Sequence, residues 1–428
     1  MRTPHARIAA ALAVLAALAG PVACGSDAGG GRNRLELKIG VLLPRTGPMQ
    51  QFAPAGQQAT DLALDEIRKA AAKVGARHQL IATTADDESQ PGPALSAAKK
   101  LVKDKKPSCF VGPWGNAGAE RVTAQLAAPK KILFISPAAS GDAITQAEDR
   151  GYLTRVVPPD RLQAEALTEL MDKKLRGARG KTVNVGALSS TYGNDLTSAF
   201  EDSWTGKGGR IGEKVTYRPD QPTFADEGDK LASGKPDAWV FFDFLETFPR
   251  IATDLLARKE IKFGPRKVFA GDSLATPRLG TASAVASQGL RGVAISAPSS
   301  GAAAKEFDKR FKARGPAKRQ TFDAQAFDAT VLCYLSAVAA GSTTGKALAS
   351  KVREVSAPPG RKYNWLQLDQ AVKALQAGED IDYDGASGPI NLNDSGDPTA
   401  GVYDVYKFKK GKLLIREQIA VPEGKGGI

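Results

Sequence analysis

The stretch of this chain best built to hold a small molecule is residues 110–140, FVGPWGNAGAERVTAQLAAPKKILFISPAAS. It reads as a short apolar strand, a small-residue turn, a helix, a second apolar strand and a second small-residue turn. In an open α/β sheet, ligands bind just beyond the carboxyl ends of the strands. Loops of Gly, Ala, Asn and Ser let backbone N–H groups come close to a ligand, and N–H groups at a helix start favour an anion. The group expected there is a carboxylate.

Residues for bond-making chemistry are scarce. The sequence has no GxSxG elbow, P-loop, HExxH or CxxC, and its only histidines are His5 and His78. Ser-His catalysis and metal-assisted hydrolysis therefore have little to work with. His78 opens a strand and reads as a surface residue. The expectation is a binding protein that is not an enzyme, with no cofactor and no metal.

The elements that must position the two loops alternate along the chain. Residues 37–44, LKIGVLLP, form a continuous apolar run, as in a strand covered on both faces. In residues 55–70 the apolar positions Ala55, Ala59, Leu62, Ala63 and Ile67 recur at helical spacing. Strands at 78–85, 109–112 and 132–135 and helices at 94–102 and 117–127 continue the pattern. Such alternation predicts right-handed crossovers and a parallel sheet.

Residues 152–158 read as a crossing segment into a second lobe with strands at 183–188, 211–217, 238–242 and 267–270. Residues 292–296 read as a return to the first lobe, followed by helices at 305–312 and 324–339. Later strands are expected at 402–408 and 413–418. The fold class is α/β, two Rossmann-like lobes joined by a hinge crossed several times, a geometry that closes on ligands. Lobe 1 is expected over 37–157 plus about 290–342, and lobe 2 over 158–289 plus about 343–428.

At 428 residues and 42% hydrophobic composition the chain supports two or three domain cores. Its net charge of +13 comes from Lys and Arg scattered among 46 acids, with no basic stripe interleaved with aromatics, which argues against a nucleic-acid partner. Arg2, His5 and Arg7 precede an apolar run over 8–19, and Gly20-Pro21 breaks it before Val22-Ala23-Cys24, the order of a signal peptide. The run falls short of the roughly 20 apolar residues a spanning helix needs. Residues 1–23 are expected to be removed, which takes away Arg2 and Arg7 and leaves +11 of the +13. The cut site resembles a bacterial lipobox, with Pro21 where that pattern prefers Leu, and the resemblance makes Cys24 the lipidated first residue of a membrane-anchored chain. An ordinary signal peptide cut near Ala23 is the alternative. Residues 24–36 then serve as a flexible tether. Cys109 and Cys333 remain; export permits a disulfide, and two buried thiols fit the sequence equally well.

Five blocks fall in a recognisable order: LKIGVLLPRTGPMQQFAPAGQQATDLALDEI at 37–67, DDESQPGPALSAAKKLVKD at 86–104, FVGPWGN followed by ILFISPAAS, AQAFDATVL at 324–332, and YDGASGPINLNDSGDP at 383–398. Through them the chain resembles the type I periplasmic binding proteins of branched-chain amino acid (Leu/Ile/Val-binding) ABC transporters. The resemblance implies that the two loops hold a ligand's α-carboxylate through Asn116, Ala138 and Ser140. Asn116 stands where the amino acid binders have a serine, and it also suits capping of the helix that follows. For the ammonium the resemblance implies Asp272, in the Gly271-Asp272-Ser273 loop, with Glu246 a second acid near the same rim. Tyr192 and Phe52 match aromatic positions over the ligand. Trp114 has no counterpart there; narrowing the pocket, stacking on an aromatic ligand and an ordinary hydrophobic wall or core role all stay open for it.

The resemblance also implies partners: a small amino acid-like molecule, ABC permease subunits and a membrane surface, with the protein a monomer outside the cytoplasm. A transcription regulator of similar architecture is contradicted by the export signal, and nothing near the start resembles a helix-turn-helix. A sensor that passes its ligand to a signalling receptor stays open beside transport.

Overall fold

The computed structural model describes residues 30–258, 263–264 and 267–422. The expected signal segment and Cys24 lie outside the described residues. Residues 30–36, expected in the tether, belong to ordered elements: Gly30–Asn33 is a helical turn and the first strand starts at Arg34.

In the first lobe five strands, β1 (Arg34–Leu43), β2 (Arg77–Asp86), β3 (Cys109–Val111), β4 (Leu133–Ser136) and β5 (Leu153–Arg155), form a parallel sheet in the order β2-β1-β3-β4-β5. β3 and β4 are buried along their whole length, as central strands under helices on both faces must be. Their carboxyl ends, next to one another, open into the two small-residue loops.

The second lobe holds β6 (Thr182–Leu188), β7 (Arg210–Tyr217), β8 (Ala238–Phe242), β9 (Val268–Ala270) and β10 (Arg291–Ile295). Three further strands, β11 (Arg361–Asn364), β12 (Ile381–Gly385) and β13 (Gly388–Pro389), make a small separate sheet, and β14 (Ala400–Lys409) and β15 (Lys412–Pro422) form a hairpin. The second-lobe order is β15-β14-β10-β9-β8-β6-β7, parallel from β7 to β10 and antiparallel beyond it.

β10 corrects the expected division of the chain. It was expected back in the first lobe, but it pairs with β9 and β14 and belongs to the second. The helices that follow do return: Gly301–Arg314 and Asp323–Ala340 pack on Ala53–Lys73. Leu368–Gln376 also packs there, so the part of 343–428 before β14 sits with the first lobe and only β14 and β15 rejoin the second. The chain thus passes between lobes after β5, after β10 and before β14.

Helix Asp323–Ala340 is buried on every side except at its final residue, and Cys333 on it is joined to Cys109 of β3 by a disulfide. Of the two states the sequence left open, the structure has the bridged one. His78, expected at the surface, is half-buried, with Nδ1 2.8 Å from the Tyr334 hydroxyl and Nε2 2.9 Å from the Arg32 carbonyl.

The bridge spans 224 residues of sequence. Closing so long a loop removes unfolded-state entropy worth about 3–5 kcal/mol. Cys333→Ala is expected to keep the fold by circular dichroism and to lower the melting temperature by roughly 4–8 °C. An unchanged melting temperature would show that the bridge adds nothing to native stability.

Candidate functional site

The two loops are stitched together before any ligand arrives. Gly112, at the end of β3, has φ of +105°, and a Cβ there would lie 2.5 Å from the Leu42 carbonyl oxygen, so the turn demands glycine. From the loop after β2, the buried Asp87 accepts the N–H of Trp114 at 3.1 Å and that of Ser89 at 2.9 Å. Burial pushes Asp87 up to about 6, against the pull of those two N–H groups. Ser136, the last residue of β4, donates its hydroxyl to the Pro113 carbonyl at 2.6 Å and accepts the N–H of Ala139 at 3.0 Å.

Asn116 completes the stitching. It is the first residue of helix Asn116–Val122, with Gly115 at the cap position and no side-chain capping bond. Its Oδ1 instead accepts the Ser140 N–H at 2.9 Å across the gap between the loops. Its Nδ2 is buried without a partner. Capping was one expected role for Asn116; the bond to Ser140 takes its place. The amides of Ala139 and Ser140 are therefore engaged, and that of Ala138 is 3.4 Å from Ser136 Oγ, the loosest of the three. What the cradle still offers an anion is the Ser140 hydroxyl, the loosely held Ala138 amide and the first-turn N–H groups of helix Asn116–Val122, which have no intrahelical acceptor.

These groups line a cavity of about 360 Å³ between the lobes. Seven of the eight residues singled out in the sequence border it: Phe52, Trp114, Asn116, Ala138 and Ser140 from the first lobe, and Tyr192 and Asp272 from the second. Phe322 meets Phe52 edge-on with ring centres 5.4 Å apart and Trp114 at 5.9 Å, which makes an aromatic floor.

Asp272 opens a single 3-10 turn, Asp272–Leu274, directly after β9. Its Oδ1 accepts the Tyr192 hydroxyl at 2.8 Å and Gln163 Nε2 at 2.9 Å. The Tyr192 hydroxyl also lies 2.8 Å from Ser273 Oγ, which donates to the Asp243 carbonyl at 2.6 Å. Burial raises Asp272 above the ordinary carboxylate range, and the bonds from Gln163 and Tyr192 hold it down in part. Tyr192 sits at the start of helix Thr191–Gly206, capped by Ser190, whose Oγ accepts the Gly193 N–H at 3.1 Å.

Glu246 is the exception. It is exposed and does not border the cavity. Past β8 the chain turns so that Phe244 faces the cavity and Asp243 faces inward, where it accepts the Tyr217 hydroxyl and the Phe244 N–H, each at 2.7 Å, and the Thr247 hydroxyl. Glu246 falls on the outside of that turn. Sequence reading missed Gln163, Ser273 and Phe322. Ser273 was adjacent to a chosen acid and Phe322 preceded a chosen block, whereas Gln163 lies near the start of helix Asp160–Leu175 with no local signal.

Across the cleft, Asp195 on helix Thr191–Gly206 faces Glu120 and Asp142 of the first lobe, and burial with those like charges pushes it up to about 6. Among the described residues no cluster of acids, histidines and cysteines is arranged to hold a metal, and no helix is long and apolar enough to cross a membrane.

The chain matches the model of the family described as periplasmic binding protein over residues 36–412. The chemotactic signal transduction system substrate-binding protein BasB of Halobacterium salinarum is 24% identical, covering 89% of this chain and 88% of its own. The Leu/Ile/Val-binding protein homolog 3 of Brucella melitensis is also 24% identical, over 89% of this chain and 93% of its own. Among solved structures, the leucine-binding protein LivK of Thermotoga maritima superposes with a TM-score of 0.72 at 22% identity, covering 90% of this chain and 98% of the other. An R. palustris solute-binding protein in complex with benzoate has a TM-score of 0.66 at 21% identity, covering 90% and 97%. With its two-lobed α/β architecture and a family match over most of its length, the chain belongs to the periplasmic binding proteins.

Proposed function

We propose that this protein is an extracytoplasmic solute-binding protein, not an enzyme, that captures a small carboxylate-bearing molecule, an amino acid or a related compound, and delivers it to an ABC permease. The observation that carries this reading is the make-up of the cavity. A cradle of donors (Asn116, Ala138, Ser140) on one lobe faces a buried acid (Asp272) on the other, with Phe52, Trp114 and Tyr192 between them. An α-amino acid presents a carboxylate to the first and an ammonium to the second. The N-terminal segment supports cleavage at Cys24 and lipid anchoring there. A second reading, delivery of the ligand to a signalling receptor, is favoured by the likeness to a chemotactic substrate-binding protein.

A thermal-shift screen over amino acids, amides, aromatic acids and short peptides tests the ligand class. A carboxylate-bearing compound is expected to raise the melting temperature, with Ser140→Ala weakening its binding about 10- to 100-fold, the worth of one charge-assisted hydrogen bond, and Asp272→Ala doing the same where the ligand is an amino acid with an ammonium to pair. If no compound in the screen shifted the melting temperature, and both variants bound as wild type by calorimetry, the site would be elsewhere.

The dependence on pH separates two kinds of ligand. Because Asp272 titrates above its ordinary value, lowering the pH through that raised value protonates it. An amino acid's ammonium pairs with the ionised form, so its affinity should fall as the pH falls. A plain aromatic acid such as benzoate would bind better under the same change, because a negative neighbour is neutralised. Titration calorimetry between pH 4 and pH 8 reads the sign directly. An amino acid ligand whose affinity stayed flat across that range would remove Asp272 from the ammonium site.

For the anchor, two or more acyl chains hold a protein on a bilayer at about 0.8 kcal/mol per buried CH₂. Cys24→Ala should move the protein from the membrane fraction to the soluble one. Membrane association that survives the change would rule out lipidation at Cys24.

A further inference from the structure

A second cavity, of about 390 Å³, adjoins the aromatic floor at Phe322, which borders both it and the interlobe cavity. Its walls come from both lobes. β10, β14 and β15 supply Ile295, Asp404, Leu413 and Ile415, and the segment leading into helix Asp323–Ala340 supplies Arg319 and Gln320.

The charges around this cavity do not balance. Three carboxylates, Asp308, Asp323 and Asp404, border it together with one guanidinium, Arg319. Arg319 is engaged by two of them: its Nε and Nη2 donate to Asp323 at 2.8 and 3.0 Å, and its Nη1 donates to Asp308. Asp404 has an amide instead. Gln418 Nε2 donates to its Oδ1 at 2.8 Å, and among the described residues no cation pairs with it. The nearby amide donors are turned to the protein as well: Gln418 Nε2 also reaches the Ala297 carbonyl at 3.0 Å and Ser296 Oγ at 3.2 Å, and Gln325 Nε2 reaches the Ser296 carbonyl at 3.0 Å. Gln320 Oε1, an acceptor, is buried without a partner. What the polar side of the cavity has to spare is acceptors and negative charge.

The other side is apolar. Ile295 is buried in it, and Ile415 stands at its rim 50% exposed, one of three large apolar side chains so open among the described residues. An apolar wall with a few convergent polar groups is the ordinary make-up of a small-molecule site.

We propose that this cavity is a second ligand site, separate from the interlobe one, and that it takes a small organic ammonium ion whose charge is held by Asp404 while its apolar body lies against Ile295, Leu413 and Ile415. An ammonium has three donors and no acceptor, which matches an unpaired carboxylate and a buried carbonyl oxygen. A carboxylate or phosphate would meet three negative groups and one positive group already engaged. A bare metal ion would gain nothing from the apolar wall, and among the described residues no cluster of ligands is arranged for one. The occupant touches both lobes and Phe322, the residue shared with the first cavity.

Ligand-observed NMR titrations at pH 7 test this, with n-hexylamine as the probe and 1-hexanol and hexanoate as its neutral and anionic counterparts. Hexylamine is expected to bind with a Kd of about 1 mM or tighter, and about tenfold or more tightly than either counterpart. Asp404→Asn keeps an oxygen for Gln418 and removes the charge, so it should weaken hexylamine about tenfold and leave 1-hexanol within about twofold. Ile415→Ala, a change at an exposed position, should weaken hexylamine and 1-hexanol alike by a few-fold, and it carries the test if Asp404→Asn proves unstable. Asp272→Asn, which removes the acid of the interlobe cavity, should bind hexylamine as wild type does. Melting curves confirm that each variant is folded. No binding of hexylamine, equal binding of the three probes, or a loss that follows Asp272→Asn in place of Asp404→Asn and Ile415→Ala would overturn the proposal. The last of these would put the amine in the interlobe cavity, and none of them depends on which ligand that cavity holds.

Discussion

Arg155 and Asp397 form an ion pair from which solvent is excluded: Nε and Oδ1 are 2.6 Å apart and the two side chains are 0% and 1% exposed. One Arg155 terminal nitrogen donates to the Gly141 carbonyl at 2.8 Å and the other to Thr145 Oγ1 at 2.6 Å, and that hydroxyl donates on to Asp397 Oδ2 at 2.7 Å. Arg155 ends β5, where the chain first leaves lobe 1, and Asp397 lies just before its last crossing into β14. The second cradle loop hangs between them. Burying two charges is not by itself stabilising, but once buried, loss of either partner costs about 3–5 kcal/mol. The pair is thus best understood as a register pin, fixing where two hinge strands and the ligand loop lie relative to one another.

With that loop fixed, the cradle can be rigid. Asp87, Ser136 and Asn116 consume amides and a carbonyl that a floppier loop would leave for water or ligand. The benefit is in entropy, since groups already held in place need not be ordered by the ligand. Micromolar affinity needs about −8 kcal/mol. For a leucine-sized molecule of about nine heavy atoms that is near −0.9 kcal/mol per atom, close to the ceiling for small ligands. Such efficiency requires nearly complete enclosure and few ordering costs. Two lobes supply the first, and the stitched loops supply the second.

The parts of this architecture that were legible in the sequence are those with a local cause. Continuous apolar runs mark β1, β3, β4, β6 and β8 because a strand covered on both faces has no polar side to show. The cradle loops were legible because close backbone approach demands small residues. What an apolar run cannot say is which sheet it joins, and so β10 was misplaced: its neighbours β9 and β14 are chosen by tertiary packing, not by its own five residues. β11 to β13 are too short and too polar to stand out, and they depend on Asp328, buried on helix Asp323–Ala340, which accepts the Tyr383 hydroxyl and the N–H groups of Ala386 and Ser387. Glu246 and Asp243 show the same limit on a smaller scale. An acid near a strand end is visible in sequence, but the turn that decides which acid faces inward is not.

Trp114, in the first loop, has a partner in the fold that explains how so large a residue is accommodated there. Trp114 is fully buried, and a Cβ on Gly56 of helix Ala53–Lys73 would come within 2.5 Å of its ring. The large residue and the missing side chain form a matched pair, since any other residue at 56 would force the indole toward the cavity. On its other side Trp114 meets Phe322, whose φ of +73° places a bulky aromatic residue in the left-handed region. That conformation costs about 1–3 kcal/mol and persists only where the surroundings dictate it. Here they are Phe52 and Trp114, both packed edge-on against its ring. The aromatic floor is therefore set by three mutually constrained rings and a glycine, and it does not flex independently of the helix beneath it. On that side the cavity therefore presents a fixed apolar shape.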